Sequence, residues 1–123
     1  MGAIVDGMGA EPRTPEELDA LLEDAFVLRD AATVSALFEP GAVLVAGREV
    51  RGAERIAQAV TAMWQHDRTY LARPRRVVQA HDTALFVADQ GISVMRRRAE
   101  GDWRFAIALL DLDQDTGREK HHE

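Results

Sequence analysis

The chain has 123 residues, 46% of them hydrophobic and 29% charged, which suits one domain built around a single hydrophobic core. Its net charge of -6 disfavours nucleic-acid and anionic-membrane partners, and the lack of cysteine excludes disulfides and thiolate metal ligands. No apolar run nears the ~20 residues that span a bilayer, and the first residues lack a signal-peptide pattern, so a cytoplasmic protein is expected.

The first helix is predicted after a weakly patterned start. Residues 1–13 are Gly-rich and are expected to form a flexible segment, with at most a short strand at Ala3 to Val5. Thr14, Pro15 and Glu17 then make an N-capping signal, with Glu17 completing a capping box. The expected core stripe is Leu18, Leu21, Leu22, Ala25 and Phe26, and the expected water-facing side is Glu16, Asp19, Glu23 and Asp24.

A second, shorter helix is predicted after Asp30, which can cap it. It should turn Val34, Leu37 and Phe38 inward and stop at residues 39–41, Glu-Pro-Gly.

The middle of the chain predicts a short strand over residues 42–46 and then a polar turn at 47–49. A third helix is expected from about Ala53 to Gln65, followed by a loop over residues 66–74. Residues 75–80 are predicted to be a strand.

Two long apolar runs, residues 83–98 and 103–113, flank a polar break and predict a long β-hairpin. If the loop is even, even positions of the first strand share a face with odd positions of the second. The predicted core face therefore comprises Phe86, Ala88, Ile92, Val94, Trp103, Phe105, Ile107 and Leu109. The opposite register would bury Asp89 and Ser93 beside the aromatic residues without gain.

The other face of this hairpin is also partly apolar. Its predicted members are Asp89, Gly91, Ser93, Met95 and Arg97 opposite Arg104, Ala106, Ala108, Leu110 and Leu112. Because helices can cover only one face, a second subunit is the expected cover for the other, which predicts a homodimer through the outer sheet face.

The order helix, helix, strand, helix and three strands predicts an α+β fold. Arg29-Asp30, the stretch VSALFEPGAV at 34–43, RGAERI at 51–56 and GDWRFA at 101–106 resemble the NTF2-like superfamily. Ketosteroid isomerase, scytalone dehydratase, limonene epoxide hydrolase and the SnoaL-like polyketide cyclases share that fold. The resemblance covers about Pro15 to Asp113. It implies an NTF2-like (cystatin-like) cone, with three N-terminal helices packed on a curved antiparallel sheet, as a domain at 14–113 before a polar tail at 114–123.

Both enzymes and non-enzymes have this fold, so the resemblance indicates the fold but not which reaction, if any, the protein catalyses. Strand 42–46 has no acid where ketosteroid isomerases place their carboxylate base. The first helix has Leu21, Leu22 and Phe26 facing inward where those enzymes have a tyrosine. The resemblance therefore implies a SnoaL-like, ketosteroid-isomerase-like domain in the general sense and not a ketosteroid isomerase proper.

Asp111 is the candidate catalytic residue, because a carboxyl group set among leucines can exchange protons as a general acid or base. The alternative is an exposed carboxylate at a strand end. Gln90 would orient a substrate oxygen or be satisfied by backbone, and His66 is an acid–base candidate or a solvated loop residue. The expected ligand-binding residues also include Phe26, Phe38, Met63, Trp64, Tyr70, Phe86, Ile107 and Leu109. Core packing is the alternative for Phe26, Phe38, Met63 and Trp64, and the loop between Trp64 and Tyr70 is expected to cover the pocket mouth.

The sequence has no phosphate loop, nucleophile elbow or histidine pair at metal-ligand spacing, so no metal and no cofactor are expected. The predicted partner is a small hydrophobic molecule, bound by a cofactor-independent acid–base enzyme of the isomerase, cyclase, dehydratase or epoxide-hydrolase type. A non-catalytic ligand-binding domain and a dimerisation module are the alternatives, and the sequence does not decide among the three.

Overall fold

The computed structural model describes residues 11–112, which form three helices and one six-stranded sheet. The elements are α1 (Pro15–Leu28), α2 (Ala31–Leu37), β1 (Phe38–Ala46), β2 (Arg48–Arg51), α3 (Ala53–Trp64), β3 (Pro74–Ala80), β4 (Thr83–Ala88), β5 (Gly91–Arg97) and β6 (Trp103–Leu110). The strand order is β2-β1-β6-β5-β4-β3. The α+β prediction is confirmed, although β1 and β6 pair in parallel within the otherwise antiparallel sheet. The strand proposed at residues 3–5 and the tail at 114–123 lie outside the described residues.

Helix α1 begins as predicted, with one residue placed differently. The hydroxyl of Thr14 accepts a hydrogen bond from the N–H of Glu17 at 3.0 Å. The Glu17 carboxylate accepts from the N–H of Arg13 at 2.7 Å, one residue before the expected capping-box partner. Asp19, expected to face water, is 1% exposed. That expectation was wrong because a tyrosine from a distant loop covers this side of the helix.

Helix α2 has its predicted cap, since Asp30 accepts a hydrogen bond from the N–H of Thr33 at 3.1 Å. It ends sooner than expected, and Phe38 already belongs to β1. Pro40 does not separate the helix from the strand but lies inside β1, where the pairing with β6 is irregular between Phe38 and Val43. Such an irregularity is where a strand tolerates proline.

The predicted polar turn at residues 47–49 is shorter than expected. Gly47 alone turns the chain, with a φ of 87°, and the following residues form the edge strand β2. The strand was missed because it is short and carries charged side chains on its exposed positions.

The first long apolar run is two strands rather than one. Strands β4 and β5 form a hairpin through Asp89 and Gln90, and Ala88 pairs with Gly91. A Cβ at Gly91 would lie 2.2 Å from the carbonyl oxygen of Leu109, so glycine is required by the close approach of β6.

The predicted core face is correct in part, because β6 contains an irregularity that reverses its side-chain alternation. Met95 pairs with Phe105, whereas the neighbouring Val94 pairs with Ile107, which leaves Ala106 as an extra residue. Trp103 and Phe105 are therefore buried, and Ile107 and Leu109 face away from the helices together with Ile92 and Val94. The members of the predicted face that point inward are Phe86, Ala88, Trp103 and Phe105.

The set predicted for the outer face is correspondingly wrong, since Met95, Ala108 and Leu110 are buried. The side of the sheet away from the helices instead carries large apolar side chains that are each 40–48% exposed. We call this set the outer apolar face; its members are Val78, Leu85, Ile92, Ile107 and Leu109.

Candidate functional site

An apolar cleft lies between α3 and the hairpin of β1 and β2. Its volume is about 410 Å³. It is lined by Leu44, Ala46, Gly47, Arg48, Val50, Ala59, Ala62, Met63, His66 and Arg68. Ala59, Ala62 and Met63 follow the i, i+3, i+4 spacing that places helical side chains on one face. Among the predicted site residues, the cleft therefore receives Met63 and His66.

A smaller rim pocket of about 230 Å³ adjoins the cleft and shares four of its residues, Ala46, Gly47, Met63 and Arg68. Its other lining residues are Leu110, Asp111 and Leu112 from the end of β6. Asp111 is exposed, which agrees with the alternative of an exposed carboxylate at a strand end. The structure places this carboxylate at the edge of the cleft.

Gln90 fixes a loop and does not line the cleft. Its side-chain Oε1 accepts a hydrogen bond from the N–H of Leu71 at 2.7 Å, and its Nε2 donates to the carbonyl oxygen of Thr69 at 3.3 Å. Of the two roles considered for Gln90, the structure supports the amide satisfied by backbone.

The carboxylic acid with the most strongly shifted pKa in the described residues is Asp19, which pairs with Tyr70. The Tyr70 hydroxyl donates a hydrogen bond to Asp19 Oδ1, and the two residues are 1% and 2% exposed. Burial raises the pKa of Asp19 to about 6; the bond from Tyr70 opposes this rise and the charge of Glu23 adds to it. Burial, followed by the charge of Asp19, raises the pKa of Tyr70. The Oδ2 atom of Asp19 has no hydrogen-bond partner within residues 11–112.

The predicted wall aromatics belong to the core and do not line the cleft. Phe26 lies between Trp64, at a centroid distance of 5.8 Å, and Tyr70, at 6.0 Å. Phe38 stacks on Phe105 at 4.9 Å. Phe86 is 1% exposed. Core packing, the alternative that the sequence left open for Phe26, Phe38 and Trp64, therefore describes their place in the structure.

The architecture matches solved structures. No family model matches the chain, and no curated protein does either. A ketosteroid isomerase-like protein from Erwinia carotovora atroseptica matches with 22% identity and a TM-score of 0.66, over 78% of this chain and 91% of that one. A designed NTF2 protein matches with 12% identity and a TM-score of 0.65, over 76% and 92%. The chain has the NTF2-like fold.

A third solved structure also matches the fold of this chain. It is a putative calcium/calmodulin-dependent protein kinase type II association domain from Thiobacillus denitrificans, with 15% identity and a TM-score of 0.67, over 83% of this chain and 98% of that one. One neighbour is named after an isomerase and the other after an association domain, so the comparisons establish the NTF2-like fold alone.

Three residues in or near this site were not predicted from the sequence. Arg48 and Arg68 line the cleft, and Asp19 is buried against Tyr70. A signal for Asp19 was available, because it precedes Leu22 by three residues and Phe26 by seven, which is the spacing of the buried stripe. Because Asp19 is charged, it was nevertheless predicted to face water. No comparable signal marked the two arginines, which come from a short edge strand and a loop.

A further pocket of about 760 Å³ lies beside the start of α3 and is lined by charged side chains, among them Arg51, Arg98 and Arg104. Many of its charges are paired within the protein. Arg104 lies 2.7 Å from Asp102, and Arg51 lies 2.7 Å from Glu49. We therefore take the apolar cleft as the candidate site.

Two kinds of feature are absent between residues 11 and 112. No group of three or more His, Asp or Glu side chains is arranged to hold a metal ion there. No helix of this part of the chain is long and apolar enough to cross a membrane.

Proposed function

We propose that the protein binds a small hydrophobic molecule in the apolar cleft. The observation that carries this proposal is the lining of the cleft, in which small and branched apolar side chains surround a volume of about 410 Å³ with few polar groups, His66, Arg48 and Arg68. Ligand pockets are typically ~300–1,000 Å³, mostly apolar, with a few polar groups that orient the ligand.

The test is to fill the cleft. Ala59→Leu adds three carbon atoms to the cleft wall, and we expect it to weaken binding of the neutral fluorophore N-phenylnaphthylamine at least about tenfold, a change of about 1.4 kcal/mol. Ala32→Leu makes the same change at an exposed position of α2 and serves as the matched control. Equal affinity in both variants, or no saturable binding to the wild type, would remove the proposal.

Acid–base catalysis without a cofactor is the second candidate function. It is favoured by one observation: Asp111 lines the rim pocket and His66 lines the cleft that adjoins it. A carboxylate and an imidazole beside adjoining cavities are the groups that isomerase, dehydratase, cyclase or epoxide-hydrolase chemistry uses to move protons.

Asp111→Asn separates catalysis from binding alone. The wild type would be assayed without added cofactor on a model unsaturated ketone, a β-hydroxy ketone and an epoxide. If Asp111 moves a proton, its amide variant should lose turnover and keep both its fold and its affinity for the fluorophore. If the protein only binds, no turnover is found and the same change merely weakens binding.

We also propose that two copies of the chain form a homodimer through the outer apolar face. Five large apolar side chains on one side of the sheet are each at least 40% exposed, and the three helices cover the opposite side. A contiguous exposed patch of this kind marks an interaction surface, and two-fold dimers are the commonest way in which a chain covers its own patch.

A further inference from the structure

The segment 65–68, which brings His66 and Arg68 to the cleft, is attached to α1 on both of its sides. Before the segment, Trp64 packs edge-on against Phe26 of α1, with an interplanar angle of 84°. After it, Tyr70 contacts the same phenylalanine and donates its hydroxyl hydrogen to Asp19. The wall of the cleft is therefore held by a buried polar contact and two aromatic contacts.

The residues that follow this segment are attached to the sheet by Gln90. The side-chain amide of Gln90 bonds to the backbone of Thr69 and Leu71, the two neighbours of Tyr70. Displacement of Tyr70 from Asp19 would strain these bonds, and the adjacent wall residue Arg68 would move with them. The position of Arg68 at the cleft thus depends on these contacts as well as on its own N–H, which donates a hydrogen bond to the carbonyl oxygen of Met63 at 3.0 Å.

The stability of the contact between Asp19 and Tyr70 depends on whether the Asp19 carboxyl group is ionised. Tyr70 faces Asp19 from the loop, and Glu23 faces it from α1. Burial raises the pKa of Asp19 from 3.8 to about 6, so the closed arrangement binds a proton more tightly than one in which water reaches the carboxyl group. By linkage, opening of the segment becomes easier as the pH rises through this range.

We propose that Asp19 and Tyr70 are a positioning pair that sets the shape of the apolar cleft, and that ionisation of Asp19 loosens the cleft wall. The ligand part of this inference rests on the proposed binding function, whereas the motion of the wall does not. Neither residue lines the cleft, so the pair acts through His66 and Arg68.

Hydrogen exchange tests the motion without any ligand. We expect the protection factor of the Leu71 amide, corrected for the intrinsic exchange rate, to fall between pH 4 and pH 8 by up to about 100-fold, the ratio set by the change in pKa. Asp19→Asn keeps an oxygen that can accept from Tyr70 and removes the charge, so its protection should not follow this pH dependence. An equal pH dependence in Asp19→Asn, or none in the wild type, would overturn the proposal.

Tyr70→Phe is a second variant that keeps the ring beside Phe26 and removes the hydroxyl. The bond from Tyr70 lowers the pKa of Asp19, so its loss should move the fall in protection to higher pH. An unchanged midpoint would contradict a role for the hydroxyl. If this variant does not fold, Asp19→Asn still decides the question.

Fluorophore binding then connects the motion to the cleft. The affinity of N-phenylnaphthylamine for the wild type, counting only the binding that Ala59→Leu removes, should fall as the pH rises from 5 to 8. His66→Gln removes the imidazole that lines the cleft, so a pH dependence that persists in this variant and disappears in Asp19→Asn belongs to the pair. No cleft binding at any pH would contradict the proposed function but not the motion. Binding with a pH profile unchanged in Asp19→Asn would contradict the positioning role alone.

Discussion

The backbone N–H of Asp111 donates a hydrogen bond to the backbone carbonyl oxygen of Gln90 at 2.7 Å. This bond joins the end of β6 to the turn between β4 and β5. The side chain of the same glutamine holds the loop that contains Tyr70. One turn residue therefore connects the rim pocket, which Asp111 lines, with the wall of the apolar cleft.

Gln90→Ala should destabilise the protein and loosen this loop. The variant loses two hydrogen bonds to loop backbone, each worth about 1 kcal/mol, so a loss of about 1–2 kcal/mol is expected in urea unfolding. Gln79→Ala is the matched control, because the Gln79 amide makes one long, exposed bond, of 3.3 Å, to the carbonyl oxygen of His81. A loss no larger than that of the control would show that the amide of Gln90 does not hold the loop.

Asp19→Asn should change how stability depends on pH. A carboxyl group whose pKa is raised in the folded state stabilises the protein fully below pH 3.8, and this contribution is lost as the pH rises to about 6. A shift of about two pKa units corresponds to about 3 kcal/mol. The free energy of unfolding of the variant, measured relative to the wild type, should therefore increase between pH 4 and pH 7.5. A constant difference across that range would show that Asp19 is not titrating in the folded protein as expected.

Gly91→Ala should be strongly destabilising, although Gly91 lies in a strand and does not have a positive φ. Its new Cβ would lie 2.2 Å from a backbone carbonyl oxygen and 2.8 Å from Cδ2 of Leu110, and a backbone group cannot move aside without separating the strands. We expect a loss of about 2–3 kcal/mol, in the upper range for overpacking. The control is Gly41→Ala, where a Cβ meets nothing within 4 Å, and thermal unfolding of the two variants gives the comparison.

Leu109→Glu should convert the proposed homodimer into a monomer of 13.6 kDa. A charge in the middle of an apolar interface is buried on association and costs several kcal/mol unless it is paired. Sedimentation at micromolar concentration measures the result. Leu28→Glu places the same charge on α1 at a residue that is 72% exposed, and this variant should remain dimeric. A wild-type protein that sediments as a monomer would refute the dimer.

The helices could be predicted from the sequence because their signals are local. Thr14 and Asp30 cap α1 and α2 through contacts three residues along the chain, and the apolar spacing of α1 identified most of its buried side. The sheet could be predicted only in part. Whether Ile107 faces the helices depends on the extra residue Ala106 in β6, and no local pattern in the sequence marks it.

The residues of the candidate site could also be predicted only in part. Met63 and His66 could be named as candidates because the end of a helix and the loop after it were recognisable in the sequence, and both residues line the cleft. The pairing of Asp19 with Tyr70 was not predicted, since 51 residues separate them and only the packed fold brings the loop against α1.

By itself, the sequence determined the α+β class, the N-terminal caps of α1 and α2 and the resemblance to the NTF2-like fold, because capping, periodicity and turn residues act over a few neighbours. The tertiary structure decided which face of the sheet is buried, that Asp111 lies at a rim, and that Asp19 is buried with a pKa near 6. Burial and the energy of a buried charge depend on distant parts of the chain, and these meet only when the strands and helices pack.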